Sequence, residues 1–423
     1  MRIRLAGTLV VHLCFAASST FSAGLVVVAL DDEVPPAPDH VEDVVPEGNA
    51  SSDEMPETVI IGEDGDHDHA GHVQGDNLLS TDANGDVQYG MQWNGENQHA
   101  DHSHSDGHDD HDDFHHRPDS HAPAGLCLDH THEQGQWMVE YKFMHMTMQG
   151  MRTGTRSVTP AQAAAGAGAA ASPTSMDMRM HMGHIMYGLN DCITLYTMLM
   201  WSDLTMDHRF LPAGPNIPFT TSNADFDDMS IGAVIKLYED CNSEWIGHIG
   251  LTVPTGDIGR QVTPGPPPPP GRFPYPMRTG SGHVSLRPGL TYKQWNECGS
   301  IGIQATGYIP LHENYQGYNE GSEAQLSFWI SRLVTPCTSV SFRAEGLWRD
   351  DFQGSDPTLN PALVTTANPR AQRRSNVNLF GGLNTIINGH RLAVEVGAPV
   401  YQNVQGFQLE QDLFVFSSWS KAF

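Results

Sequence analysis

From Trp137 onward the chain alternates apolar residues with small or polar ones at a period of two. Trp137, Val139, Tyr141 and Phe143 interleave with Met138, Glu140, Lys142 and Met144. Ile193, Leu195, Leu199 and Trp201 interleave with Thr194, Tyr196, Met198 and Met200, and the pattern recurs over 230–237 and 301–309. Neighbouring side chains of an extended strand point to opposite faces, so each segment reads as a strand with one apolar face. The breaks alternate as well. Short turns fall at Asn190-Asp191, Glu239-Asp240, Asn296-Glu297, Thr335-Pro336 and Asn388-Gly389, and longer connections at 149–175, 207–224, 257–281, 311–322, 351–375 and 402–411. Short turns at one end and long loops at the other describe an all-β, transmembrane, antiparallel up-and-down barrel.

Strands are expected near 137–148, 177–188, 192–202, 228–238, 244–254, 282–292, 299–309, 323–334, 338–349, 376–387, 390–400 and 412–423. That is about twelve, an even number, as single-chain bacterial barrels have. The competing fold is a soluble sandwich or barrel. The faces opposite the apolar ones carry Gly, Gln, Thr and Ser, which suit a wet lumen better than a charged surface. Trp137, Trp201, Trp245, Trp295, Trp329, Trp348 and Trp419 fall mostly near strand ends, where an interfacial girdle is expected. Trp419 and the terminal Phe423 share a face of the last strand, which fits an outer-membrane insertion signal.

The charge lies elsewhere. Residues 31–133 hold 27 acidic residues against one basic residue, Arg117, so nearly all of the net charge of −28 sits there. Such a segment, poor in large apolar residues, is expected to be disordered, because it cannot bury enough surface to offset its ordering entropy. With no basic patch to neutralise phosphates, nucleic acid is not a partner. Thirteen of the 23 histidines fall between His67 and His132. His67, His69, His102, His104, His108, His111, His115 and His116, interleaved with Asp, make overlapping sites for Zn, Cu or Ni ions. The plainer reading is a solvated spacer. Ahead of this tract, Arg2 and Arg4 precede an apolar run, Leu5 to Ala17, and then small residues, so 1–30 is expected to be a secretory signal peptide.

Export makes disulfides available. Cys192, Cys241, Cys298 and Cys337 each follow a short polar turn and are expected on one rim. Consecutive members stand two strands apart, about 10 Å, whereas a disulfide needs Cα atoms within about 7 Å. If the turns flex, the pairs are Cys192–Cys241 and Cys298–Cys337; free thiols or metal-bound thiolates are the alternatives.

A series of motifs then stands out. Asp129-His130-Thr131-His132 leads to Gly135-Gln136-Trp137-Met138, then Leu251-Thr252-Val253-Pro254-Thr255-Gly256-Asp257, Pro274-Tyr275-Pro276-Met277 and Gly280-Ser281-Gly282. Pro288-Gly289-Leu290-Thr291-Tyr292, Asp356-Pro357-Thr358-Leu359-Asn360-Pro361, His390-Arg391-Leu392-Ala393 and Pro399-Val400-Tyr401-Gln402 follow in order. The series resembles the outer-membrane transporter family named for the meta-pathway of phenol degradation, over 129–423. The resemblance implies an outer-membrane β-barrel and transport, with no agreed substrate and no catalytic residue. The acidic His-rich extension, the insert Pro264–Pro270 and the cysteines depart from it.

Fourteen of the 18 methionines fall between Met138 and Met229. Met144, Met146 and Met148 share one strand face; Met178, Met180 and Met182 share another with His184. Facing thioethers are soft ligands suited to Cu(I), and they are equally adaptable packing for a narrow barrel. His283 and Ser285 share a strand face, but nothing nearby completes a catalytic set, and no enzyme is expected. The chain thus reads as a signal peptide (1–30), an acidic His/Asp-rich tract (31–133) and an outer-membrane barrel (134–423). Its function is expected to be a channel or transporter for small solutes with a metal-binding extension. The alternative is a metal-sequestering or metal-resistance surface protein anchored by its barrel. Outer-membrane lipid, small solutes and metal ions (Cu, Zn or Ni) are the expected partners, no cofactor is required, and the tract is expected in the periplasm.

Overall fold

A computed structural model describes residues 117–211, 216–262 and 271–423. The expected signal peptide, the histidines from His67 to His116 and the insert Pro264–Pro270 lie outside the described residues.

The strands are β1 (Trp137–Gly154), β2 (Arg156–Val158), β3 (Ala171–Asn190), β4 (Ile193–Phe210), β5 (Pro218–Phe226), β6 (Met229–Asp240), β7 (Ser243–Val253) and β8 (Ser285–Asn296). They continue with β9 (Gly299–Pro310), β10 (Tyr318–Asn319), β11 (Glu323–Thr335), β12 (Thr338–Arg349), β13 (Gln353–Gly354), β14 (Arg374–Ile387) and β15 (His390–Ala422). A helix, α1 (Pro160–Ala167), caps the first long loop; Thr159 and Gln162 form its capping box. Eleven strands form a closed antiparallel ring in the order β15-β14-β12-β11-β9-β8-β7-β6-β4-β3-β1, and β1 returns to β15. β2 and β5 extend the sheet beyond the ring, and β10 pairs with β13.

The ring has eleven members and not the expected twelve because the last two expected strands run on as one element. The connection expected at 402–411 is itself strand. β15 nevertheless reverses. Its first leg pairs antiparallel with β14 from His390 to Val404, and its second pairs antiparallel with β1 from Val404 to Ala422. β14 and β1 run opposite ways, so the chain must turn between the legs, near Gly406 with φ of +68°. Other connections also shortened. β1 and β4 run on past the expected 148 and 202 to Gly154 and Phe210, and β5 folds back on β4.

The short turns all lie at one end. Asn388 and Gly389 both take positive φ, which a two-residue turn matched to strand twist requires. Outward residues form an apolar belt, with Val139, Leu195, Leu199, Ile249, Phe328 and Val394 all exposed. A closed ring leaves no unpaired edge, and an apolar outer face is what lipid requires of it. Trp137, Trp245 and Trp348 face outward near strand ends as expected, and Trp201 faces outward at the middle of β4, which runs on past it. Trp295 and Trp329 do not: both are buried inside the barrel. The Trp329 ring lies across Gly302 of β9, where a Cβ would come within 2.2 Å of it.

Candidate functional site

The lumen is filled at two levels. At the short-turn end lies an irregular segment, residues 117–133, held by lumen-facing side chains. Irregular backbone away from water must find partners for its carbonyls. Four strands supply cations or amides for this. Lys142 donates to Leu126 O at 2.6 Å, Arg391 to Ala122 O at 2.6 Å, Lys293 to Ser120 O at 3.3 Å and Gln304 to Cys127 O at 3.0 Å. Ser300 donates to Asp119 O at 2.5 Å, and Gly125 N donates to Glu395 at 2.8 Å. Leu126 and Ala122 pack on Trp329, and Leu128 on Met138, Met186 and Tyr196. The segment enters beside Ser300, next to the β8–β9 turn, and leaves beside Asp191, next to the β3–β4 turn. It is a plug inserted from the short-turn end. Residues 117–133 were expected to be disordered; this part is ordered by cations contributed from across the ring.

The cations are themselves paired. Arg343 makes a two-point contact with Glu395 at 2.9 and 3.0 Å, bonds Glu345, and stacks 3.9 Å over the Phe380 ring. Lys293 stands 3.2 Å from Glu244 and Lys142 3.8 Å from Glu140. His184 Nδ1 bonds Glu140 at 2.9 Å.

The second level is a methionine wall. Inward residues pair in rows across β1, β3 and β4: Met148–Met176–Met206, Met146–Met178–Leu204 and Met144–Met180–Ser202. Met182 pairs with Lys142 and Met200, and His184 with Glu140 and Met198. The sequence-derived faces are therefore the inward ones on all three strands. Met146, Met148, Met151, Met176 and Met206 form one buried cluster with Phe273, Met277, Phe380 and Phe414, with Met178 packed against it. Thioethers among aromatic edges are adaptable packing, and Met146 Sδ accepts from Gln411 at 3.3 Å.

Phe273 and Met277 belong to a loop that dips inward, a contribution the periodicity could not show. Its anchor is Arg278, which bonds Asp356 at 2.7 Å, Gln316 at 2.6 Å and Tyr318 at 2.9 Å, and lies against both the Tyr275 and Tyr318 rings. Asp228 likewise accepts from Gly256 N and Ser281 N. The motifs containing Gly256, Tyr275, Ser281 and Asp356 thus meet at the long-loop end. A cleft of about 690 Å³ opens there, lined by Tyr275, Phe352, Pro357, Leu359 and Pro361 among others.

In the loop before β11, burial, with Asp227, Asp228 and Glu323 near, pushes the Glu320 carboxyl up to about 7 against the pull of Arg349. A raised carboxyl stays protonated in the folded protein after the unfolded chain has lost its proton. Stability therefore falls as pH rises from the unfolded value of about 4.3 towards 7, then levels. Glu320→Gln is expected to raise stability by about 1–2 kcal/mol at pH 8, allowing for partial exposure, and to change little at pH 4. Urea unfolding in detergent at the two pH values reads this directly; an equal effect at both refutes it.

All five described cysteines are free thiols. Cys192, Cys241, Cys298 and Cys337 do sit at the four polar short turns on one rim, but the disulfides are not formed, since two strand spacings separate successive members. Ser285 Oγ lies 2.9 Å from His283 Nδ1, while His283 Nε2 accepts from Glu320 N. That places the ring proton on Nδ1, so His283 donates to Ser285 and is not poised as its base.

Around Asp129 the plug gathers imidazoles. Burial opposes charge on Asp129, but His130 and Lys293 outweigh it and hold the carboxyl well below its usual range. Burial keeps His121 well below its usual value and takes His132 down to about 4.

No protein-family model matches the chain, and neither does any curated protein. The phenol meta-pathway family expected from the sequence motifs is therefore not shown by these comparisons. Among solved structures, the chain is similar to an outer membrane channel from Pseudomonas putida F1, at 13% identity over 70% of this chain and 98% of that one, TM-score 0.47. It is similar to the Pseudomonas putida toluene transporter TodX, at 11% over 71% and 91%, TM-score 0.32. It is also similar to the beta domain of a Bordetella autotransporter, at 10% over 69% and 100%, TM-score 0.36.

Proposed function

We propose that the chain is an outer-membrane channel for small, weakly polar solutes, closed at its periplasmic end by the residue 117–133 plug. The observation that carries this is a large apolar cluster inside the ring, next to a cleft partly lined by Tyr275, Phe352 and prolines. Tyr275 lines the outer cleft, and its loop neighbours Phe273 and Met277 join the methionine wall inside. Asp356 and Arg370 also line the cleft, while the methionine cluster carries no charge and the ion pairs of Lys142, Lys293 and Arg343 lie nearer the plug. Short turns of such barrels face the periplasm. The plug enters and leaves at that end, which supports the reading of a periplasmic tract ahead of it.

Met176→Lys puts a charge into the buried cluster. It is expected to cut the permeation of a one-ring apolar solute into proteoliposomes at least about tenfold. A small sugar should permeate poorly through both proteins. Equal solute flux through wild type and variant would refute the apolar route. The filled lumen also favours a second reading, in which the barrel anchors a metal-sequestering tract. A barrel that passes neither solute, with or without its plug, supports that reading.

A further inference from the structure

The plug carries a cluster of imidazole and carboxylate that the channel reading does not use. His121, Asp129 and His130 each offer a ligand atom, and these atoms lie within 4.8 Å of one another. The His121 and His130 rings meet edge to face at 4.8 Å between centroids, and His132 stands 4.9 Å from His130. The Asp129 carboxylate accepts from Ala122 N at 2.7 Å through one oxygen and pairs with His130 Nδ1 at 3.0 Å through the other.

A carboxylate only accepts, so in the neutral ring the His130 proton sits on Nδ1 and the Nε2 lone pair is bare. That nitrogen is buried and has no hydrogen-bond partner. His132 repeats the arrangement: Nδ1 bonds Gln136 Oε1 at 2.9 Å, and the buried Nε2 has no partner. His121 Nδ1 is a third buried imidazole nitrogen without a partner. Buried polar atoms are ordinarily satisfied, and three imidazole nitrogens left bare side by side require a reason. Carboxylate–imidazole–metal is the arrangement in which an outer carboxylate fixes the tautomer and a metal takes the far nitrogen.

We propose that the buried imidazole nitrogens of His121 and His130, with His132 beside them and Asp129 fixing the His130 ring, hold one divalent transition-metal ion inside the plug. Donors on one tetrahedral ion stand roughly 3.3–3.6 Å apart, so the ring rotations needed are small. Imidazole donors select Zn(II), Ni(II) or Cu(II) over Cu(I). The one nearby thiol, Cys127, is bonded to Lys142 at 3.0 Å. The ion would join the plug's two legs, at residue 121 and at residues 129–132, closing the loop that lies inside the barrel. This site is distinct from the histidines of residues 67–116, which precede the plug in sequence.

The test uses the full chain in detergent, loaded with Zn(II) and then washed with a chelator strong enough to strip isolated imidazole sites. Wild type is expected to retain one zinc per chain. Asp129→Asn keeps the shape and the Ala122 contact, and should weaken retention about 10- to 100-fold. His130→Gln should abolish it, while His115→Gln/His116→Gln should leave it intact. Equal retention in wild type, D129N and H130Q, or none in wild type, overturns the proposal. Should both plug variants misfold, Co(II) loading of wild type decides: intense tetrahedral visible bands after washing support the site, and weak octahedral bands refute it.

Discussion

Arg343→Met is expected to destabilise the barrel by about 3–5 kcal/mol, because it strips the partner from two carboxylates at once. Arg343 and Glu395 have no solvent exposure, and Glu345 has little. Methionine fills the volume and can still contact the Phe380 ring, so lost packing is small. What remains is the cost of two inward carboxylates with no cation, and that is the dominant effect. The attribution is testable by rescue. Arg343→Met combined with Glu395→Gln and Glu345→Gln should recover most of the loss, since removing all three charges leaves nothing unpaired. Denaturant unfolding in detergent reads both. A single variant within about 1 kcal/mol of wild type would show that water in the lumen screens the group as at a surface.

Removal of the plug should have the largest effect on permeation. A mature chain beginning at Glu133 is expected to conduct at least roughly threefold more than the full chain in planar bilayers, because the plug fills a narrow lumen. Of the cations that hold it, Lys142 and Lys293 each keep a carboxylate partner without it and Arg391 keeps Asn384, so the wall should persist. Conductance then becomes limited by the Met–Phe cluster. Adding Phe273→Ala and Met277→Ala should raise it further, since these two side chains come from a loop and not from the wall. Unchanged conductance on plug removal would mean that the inward loop alone closes the barrel.

The ring was legible because its period-two code is strong and its short turns are uniform. β12 occupies the expected 338–349, and β9 and β11 differ from expectation by a single residue. The inward methionine faces of β1 and β4 followed from the same parity; on β3 parity left the question open, because Asp177, Arg179 and His181 oppose its methionines. Parity also carried a signal that the girdle argument passed over: Trp329 is in step with Ser327 and Ser331, and Trp295 with Thr291 and Lys293, all inward residues. The plug was not legible. Its mixed composition, with three histidines among pairs of Pro, Ala, Asp and Leu, has no periodicity, and its order comes from β1, β8, β9 and β15, whose contributions no local pattern reveals. The inward loop was hidden for the same reason. Phe273 and Met277 lie in a long connection, and Arg278 reaches Asp356 across most of a loop-to-loop span.

The plug runs directly into β1, and the ring closes where Met138 meets Ala422. These are the two ends of the sheet, and pairing residues so distant along the chain is the slow event in forming such a topology. An open sheet can wrap around residues 117–133 from the side; a finished ring must be threaded. The order of events in biogenesis therefore follows from where the plug is tethered. It is enclosed when the seam zips, and Arg391, on the first leg of β15 beside the leg that closes the seam, holds Ala122 there. Weakening that grip should leave the mature barrel nearly as stable as before, while slowing the passage from unsealed to sealed barrels.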